Sequence, residues 1–423
     1  MLGSCLKQRW LRRARLWHSH PGGRRMDRYA LTFNAGSSSL KLGLFRLADG
    51  RGVRIGGGAM SFGDGENFSF QIHDRAETVR LSGASTRKSQ VKAVVDHLLP
   101  DGAIPVFAGH RIVHGGPKFD QPVQLGKDVL ASIEALAPFA PMHLPPALEI
   151  ARAVWEIYPG LPQTASFDTA FHASQSSLAS RFAIPRELHD AGVRRYGFHG
   201  LSYKYIAGAL RRLDPDLASS RVICAHLGSG ASLCGMVDGV SIDTSMGFSA
   251  LDGVPMATRP GAIDAGAVIH LLRHDYRHAD DLENFLYHKC GLLGVSGKSG
   301  DVKVLLEDCQ PASREAVDLF CFRIAGEIGR LAVSIGGVDA IVFTAGIGQH
   351  QPEIRRGVAR HLAWMGLSLS ETANKANTMV ISARDSDVTA MVIGTDEEQV
   401  IADEAVSILA QAILRGSHDE ERG

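Results

Sequence analysis

The stretch Val222–Thr244 reads VICAHLGSGASLCGMVDGVSIDT. Val222–Leu227 is an apolar, β-favouring run, and the small residues Gly228-Ser229-Gly230-Ala231-Ser232 interrupt it as a turn. Leu233–Val237 returns as a second strand. Asp238-Gly239 then gives a strong hairpin signal into Val240–Thr244, because a two-residue hairpin turn needs residues that tolerate positive φ. The same device opens the chain about 190 residues earlier. There Tyr29–Asn34 (YALTFN) is followed by Ala35-Gly36-Ser37-Ser38-Ser39 and Leu40–Leu47 (LKLGLFRL). Two related openings predict an internally duplicated architecture.

Helices are predicted between and after these hairpins. Pro146–Tyr158 carries a proline in its first turn, where the missing N–H costs nothing. Ser313–Ile335 is amphipathic and stops at Gly336-Gly337. Glu397–Leu414 is predicted as a terminal helix. Ile104–Ala108 and Ala340–Thr344 read as short buried strands, the second followed by Ala345-Gly346-Ile347-Gly348. Strands alternating with helices predict an α/β fold with a mixed sheet. A length of 423 residues predicts two or three domains and ample core. Without low-complexity tracts or a long Pro/Ser linker, these domains are expected to join through a hinge.

The 45 Lys+Arg balance 45 Asp+Glu, which argues against a nucleic-acid or anionic-membrane binder. The balance is uneven. Lys7, Arg9, Arg12, Arg13, Arg15, Arg24 and Arg25 fall within residues 1–26, where no acid occurs, so the remainder carries a net charge of about −7 (38 against 45). That segment has no apolar core for a secretory signal; it reads as a disordered basic extension, an organellar-type leader, or a stretch upstream of a translation start at Met26. The dispersed Cys5, Cys224, Cys234, Cys290, Cys309 and Cys321 form no CxxC pair, which predicts reduced thiols and a cytoplasmic protein. No apolar run is long enough to span a membrane.

Three glycine-rich segments follow strands: Asn34–Ser39, Gly228–Ser232 and Ala345–Gly348. Backbone N–H groups in such turns can converge on phosphate oxygens. Two common phosphate loops fail here. GLLGVSGKS at Gly291–Ser299 has Leu292 where a P-loop needs its first glycine, and Leu233 replaces the third glycine of a dinucleotide fingerprint. Arg111, in GHRIVHGG, and Arg259, in MATRPG, are fork-shaped donors suited to carboxylate and phosphate. Asp168 (SFDTAFH), His199 (YGFHGLS) and His143 (APMHLPP) are further polar candidates. Asp396, Glu397 and Glu398 read either as acids capping a helix or as a Mg²⁺ carboxylate site.

Taken in order, FNAGSSSLK (33–41), GHRIVHGG (109–116), SFDTAFH (166–172), YGFHG (196–200), CAHLGSGAS (224–232), DTSMGF with TRPG (243–261), FTAGIG (343–348) and the late DEE resemble the acetate kinase family over residues 29–413. The resemblance implies a duplicated ribonuclease H-like fold of the actin, hexokinase and Hsp70 type around a nucleotide cleft. The expected domains are 27–172 completed by a helix at 399–415, and a nucleotide-binding domain at 173–398. It implies ATP/ADP and Mg²⁺ (Mn²⁺ as the alternative), acetate and acetyl phosphate as the other substrates, and a homodimer. Asn34 and Glu397 would be the metal-associated pair. Arg111, Arg259, Asp168, His199 and His143 take the catalytic places. Val113, Met142, Phe198 and Ala250, with Arg111, would line the acyl site. Lys41, the run His226, Leu227, Gly228, Ser229 and Gly230, the run Asp301, Val302 and Lys303, and the run Gly346, Ile347, Gly348, Gln349 and His350 would meet the nucleotide.

The chain departs from the family pattern at several points. HLPPA (His143–Ala147) replaces HNPPN, HLGSG replaces HLGNG, GIGQH replaces GIGEN, and Lys303 stands where the family has Arg. Ala250 and Met142 replace the usual Pro and Leu of the acyl site, which points to acceptance of propionate as well. Propionate or another short-chain acid is therefore the rival substrate. A degenerate nucleotide-binding homologue is the rival of another class. A carboxylate acceptor has a pKa of roughly 4.3 and is already ionised at pH 7, so Asp168 is expected to orient Arg111 more than to remove a proton.

Overall fold

The computed structural model describes residues 28–420 apart from 37–38, 49, 62–66, 82–83 and 85, with side chains as far as residue 410. The readings made for residues 1–26 and for Ser37-Ser38 lie outside the described residues. The chain divides into two compact units, one comprising Met1–Ala170 and Asp396–Gly423, the other Phe171–Thr395.

The first unit is built on strands β1 (Tyr29–Ala35), β2 (Ser39–Ala48), β3 (Arg51–Ser61), β4 (Asn67–Ile72), β5 (Arg75–Arg80), β6 (Phe107–Ile112), β7 (Val123–Gln124) and β8 (Gln163–Phe167). They lie in the order β5-β4-β3-β2-β1-β6-β8-β7. The first five form an antiparallel meander, and β1, β6 and β8 are parallel. Strand β6 corrects the predicted strand at Ile104–Ala108. Pro105 has no N–H for a ladder, Ile104 is 63% exposed, and pairing begins at Phe107 opposite Ala30. Arg111 therefore lies inside a strand, not after one.

Side chains alternate along β1. Leu31, Phe33 and Ala35 join the core under helices Arg87–Leu98 and Leu144–Ile157, whereas Ala30 faces the opposite side with Phe45 and Phe107. That second face is covered by the helix Glu397–Glu420 through Ala402, Ala405, Val406 and Leu409. Glycines allow the close approach. A Cβ on Gly109 would fall 2.6 Å from Ile401 Cγ2, and one on Gly43 would fall 2.6 Å from Thr32 Oγ1 and 3.2 Å from Glu398 Cβ.

The second unit holds β9 (Arg221–Leu227), β10 (Ala231–Val237), β11 (Val240–Thr244), β12 (Ala340–Thr344) and β13 (Thr389–Val392), in the order β11-β10-β9-β12-β13. The β9–β11 meander is antiparallel and β9, β12 and β13 are parallel, so the strand order β3-β2-β1-β6-β8 occurs twice in one chain. Asp238 and Gly239 have φ of 51° and 69°, the pair of positive angles that a tight hairpin turn demands. Helix Gly200–Leu213 packs on one face through Tyr203, Ile206 and Leu210. Leu331 and Ile335 of helix Pro311–Ile335 lie over Gly235 of β10. The segment Ala345–Gly348 is not an open glycine turn, as predicted, but the start of the helix Ala345–His350. Its late carbonyls, on Gly348 and Gln349, accept hydrogen bonds from Arg355 Nη1 at 2.8 and 2.9 Å, which satisfies groups a short helix leaves open.

Candidate active site

In the first unit the candidate residues gather where parallel strands end. Asn34 sits near the end of β1, Arg111 near the end of β6, and Asp168 directly after β8. Carboxyl ends of parallel strands are where open α/β sheets place ligands. Arg111 grips Asp168 with both sides of its fork, Nε to Oδ1 at 3.0 Å and Nη2 to Oδ2 at 2.5 Å. Its Nη1 donates to Asn34 Oδ1 at 3.0 Å. The Asn34 amide nitrogen in turn donates to Glu397 Oε2 at 2.8 Å and Glu398 Oε1 at 3.0 Å. Arg54 Nη1 donates to Asp396 Oδ1 at 2.6 Å and reaches Glu398 Oε2 at 3.5 Å. Asp396 also caps the terminal helix by accepting from the Gln399 N–H at 3.0 Å, so for this acid the capping reading describes the geometry.

Burial by itself would weaken the charged form of Arg111, but Asp168, Glu397 and Glu398 together hold its pKa above the usual arginine value. Four carboxylates, on Asp168, Asp396, Glu397 and Glu398, and two guanidiniums, on Arg54 and Arg111, share the cluster. Val113 is buried just beyond β6. Met142 is 38% exposed, and His143 precedes the helix Leu144–Ile157 as its N-cap residue, without capping it through its side chain. Lys41 is the cross-strand partner of Asn34 and is exposed.

A second cluster lies in the other unit. His199, at φ 56°, begins the helix Gly200–Leu213, and its ring stacks on His226 with centroids 4.2 Å apart and planes 13° from parallel. His199 Nδ1 lies 2.8 Å from Ser232 Oγ, which also bonds the Tyr203 hydroxyl. His226 Nδ1 lies 2.8 Å from Ser202 Oγ. The turn between β9 and β10 is closed by a bond from the Gly228 N–H to the Gly230 carbonyl at 3.0 Å, with Leu227 buried and Ser229 exposed. A Cβ on Gly230 would lie 2.7 Å from Arg259 Nη2 and 3.3 Å from His199 Nε2, so both donors border the space over this glycine. Burial lowers the pKa of Arg259, whose Nη1 donates to the Ala250 carbonyl at 2.8 Å. Phe198 is buried, and its carbonyl lies 3.0 Å from His172 Nε2.

The loop carrying Arg259 is anchored upstream. Asp243 Oδ2 accepts from Arg330 Nη1 at 2.5 Å and from the Ser334 hydroxyl at 2.7 Å. Arg195 Nη2 donates to the Thr244 and Ser245 carbonyls, each at 3.1 Å. Asp301 caps the helix Val302–Glu307 through the Lys303 N–H at 2.9 Å; Val302 is buried, while Asp301 and Lys303 are exposed. Gly346–His350 lies in the short helix after β12, with Gly348 buried and Gly346 and His350 exposed. Arg355 is fully buried and, among the described residues, bonds carbonyl and amide oxygens of Gly348, Gln349, Asn374 and Asn377. Sequence reading passed over Arg355, Arg54 and Tyr203 and took Ser232 only as part of a turn. Arg54 and Tyr203 earn their places through partners distant along the chain, and Arg355 through backbone and amide oxygens that carry no sequence signature.

Among the described residues no group of three or more His, Cys, Asp or Glu side chains is arranged to hold a metal. The first cluster nonetheless fits Mg²⁺, which prefers one or two carboxylates with waters and phosphates. It offers carboxylate oxygens, and its carboxylates outnumber the arginines bonded to them. Asn34 turns its amide nitrogen to Glu397 and its oxygen to Arg111, so of this pair Glu397 offers the carboxylate and Asn34 orients it.

The model of the acetokinase family matches residues 29–403. An acetate kinase of Nitrobacter hamburgensis is 41% identical over 390 residues, covering 90% of this chain and 96% of its own. One from Rhodopseudomonas palustris is 43% identical over 394 residues, covering 89% and 97%. Among solved structures, a propionate kinase from Francisella tularensis superposes with a TM-score of 0.83 at 33% identity, covering 89% of this chain and 98% of its own. The acetate kinase of Porphyromonas gingivalis gives 0.80 at 31%, covering 90% and 100%.

Proposed function

Because the chain belongs to the acetokinase family, we propose that it transfers the terminal phosphoryl group of ATP to acetate, giving acetyl phosphate and ADP reversibly. The observation that carries this reading is the Asn34–Arg111–Asp168–Glu397 constellation, with Arg111 locked bidentately on Asp168. Acetate, a simple carboxylate like the Glu side chain with its pKa of roughly 4.3, is ionised at pH 7 and needs no base. Asp168 accordingly acts as the anchor of Arg111. The named bonds use three of the five N–H groups of Arg111 and leave two to meet carboxylate or phosphoryl oxygens.

Phosphoryl transfer passes through a loose, in-line transition state with charge spread over the equatorial oxygens, so fixed cations and donors do most of the work. Arg259 and His199 supply such donors over Gly230, beside the His226–Gly230 turn that holds ATP phosphates. Asp301–Lys303 and Gly346–His350 serve the adenosine. Val113, Met142, Phe198 and Ala250 provide the apolar surface for the acyl group. Glu397, oriented by Asn34, would hold Mg²⁺, whose charge neutralises the nucleotide phosphates when it is bound.

A hydroxamate assay for acetyl phosphate, with ATP, acetate and Mg²⁺, tests the activity directly; absence of signal at high enzyme concentration would favour a non-catalytic nucleotide-binding homologue. Propionate is the second substrate reading, supported by Ala250 and Met142 and by the likeness to a propionate kinase. One methylene is worth about 1–3 kcal/mol, so kcat/KM across acetate, propionate and butyrate ranks them. The enzyme acts in the cytoplasm, a reading supported by free thiols at all described cysteines. It works as a homodimer, supported by Ile263, Ile269 and Leu272 exposed on and beside the helix Ala265–His274, which buries none of its residues.

A further inference from the structure

The second cluster contains more order than the proposed reaction accounts for. Ser232 and Tyr203 are both fully buried. Tyr203 stands one helical turn after His199, on the same face, and its N–H bonds the His199 carbonyl at 3.1 Å. The two hydroxyls and the imidazole form a continuous line: Tyr203 OH to Ser232 Oγ, then Ser232 Oγ to His199 Nδ1 at 2.8 Å. At the far side of the ring, Nε2 borders the space over Gly230 together with Arg259 Nη2.

We propose that Tyr203 and Ser232 are positioning residues that fix His199 as its Nε2–H tautomer, so that this nitrogen donates to the transferring phosphoryl group. This rests on the reading of His199 as a transition-state donor. A serine hydroxyl has one proton, so if it donates to His199 Nδ1 its oxygen is left to accept, and the Tyr203 hydroxyl is placed to supply that bond. A phenol is the stronger acid of the two hydroxyls and so the better donor, which sets the direction of the line. The opposite direction would place a proton on Nδ1. Nε2 would then donate only as an imidazolium, a second cation beside Arg259 and face to face with His226 at 4.2 Å. The bond on one imidazole nitrogen selects the tautomer at the other. His226 has the same arrangement, with Ser202 on its Nδ1 at 2.8 Å.

Full-length protein labelled with ¹⁵N-histidine tests this by NMR, with the His199 signals identified by their loss in His199→Gln. The expected result at pH 8 is a proton on Nε2 and none on Nδ1; a proton on Nδ1, alone or with Nε2, overturns the proposal. Tyr203→Phe and Ser232→Ala are expected to lower kcat about 10- to 100-fold, the range seen when the partner orienting a ligating imidazole is removed. The KM for ATP should stay within about two-fold, and Ser232→Thr, which keeps the hydroxyl, should recover most of kcat. Unchanged kcat in both deletion variants also overturns it. Should either variant fail to fold, the wild-type tautomer still decides. The two readings fail differently: an Nε2–H tautomer without acetyl phosphate formation sinks the kinase, and acetyl phosphate formation with Nδ1–H sinks the hydrogen-bonded line.

Discussion

Arg111 illustrates how much of the chemistry depends on single groups. Its fork is committed to Asp168 and Asn34, so replacing it removes the bidentate guanidinium that faces Asp168, a fully buried carboxylate. Arg111→Ala and Arg259→Ala should each reduce turnover on the order of 10³-fold, as loss of a catalytic arginine does in other phosphoryl transfers. Steady-state kinetics checks this, and near-normal turnover in either variant would refute the two-arginine scheme. Gly230 makes a subtler case. Gly230→Ala sets a methyl 2.7 Å from Arg259 Nη2, so kcat should fall while thermal stability changes little; parallel kinetics and melting measurements separate the two. At this scale the sequence indicated which residue types matter, because arginines, histidines and an aspartate beside glycine turns point to anion chemistry. It held no sign of how the Asn34 amide is turned. That Asn34 turns its nitrogen to Glu397 and its oxygen to Arg111 follows from contacts spanning more than 300 positions in one case and 77 in the other.

Among the elements, the terminal helix does two jobs. It covers one face of the first sheet, and its first turn delivers Glu397 and Glu398 to Asn34. Gly43 and Gly109 let it sit close. Gly109→Val, which collides with Ile401, should displace that first turn and lower activity at saturating acetate while raising the Mg²⁺ concentration needed for half-maximal rate. Titrating Mg²⁺ at fixed ATP tests it; an unchanged requirement would separate the helix from the metal. The strands and long helices were legible because their two- and 3.6-residue periods are local properties. The strand at Phe107–Ile112 was misplaced because an apolar run looks extended whether or not a neighbour pairs with it, and Pro105 keeps the start of that run off the ladder. The Ala345–His350 helix was misread because glycines suit a turn, and the cap that favours a helix comes from Arg355, later in the chain.

For the whole molecule, duplication was visible in advance from two hairpin openings, and the strand order bears it out. Stability should carry a mark of two buried histidines. Burial pushes His110 and His172 down to about 4, below the free value of 6.5. Between those pH values the unfolded chain binds protons that the folded one refuses, so their contribution is complete above pH 6.5 and is lost as pH falls toward 4. Each accounts for at most about 3 kcal/mol. Thermal melting from pH 8 to pH 5 should show this decline, and a His110→Gln, His172→Gln double variant should flatten it; an equal slope in both proteins would exclude these histidines as its source.

The return of the chain from the second unit to the first also dictates an order of birth. On the ribosome, the first 170 residues emerge without the helix that seals one face of their sheet, and the second unit is made in the interval. Domains generally fold as they are synthesised, N-terminal part first. Here the earlier unit must wait, its apolar Ala30, Phe45 and Phe107 open to chaperones, until Ala402 and Ala405 have been translated. The Asn34 cluster therefore stays incomplete until the second unit has been made, because the Glu397 carboxylate is translated only after it.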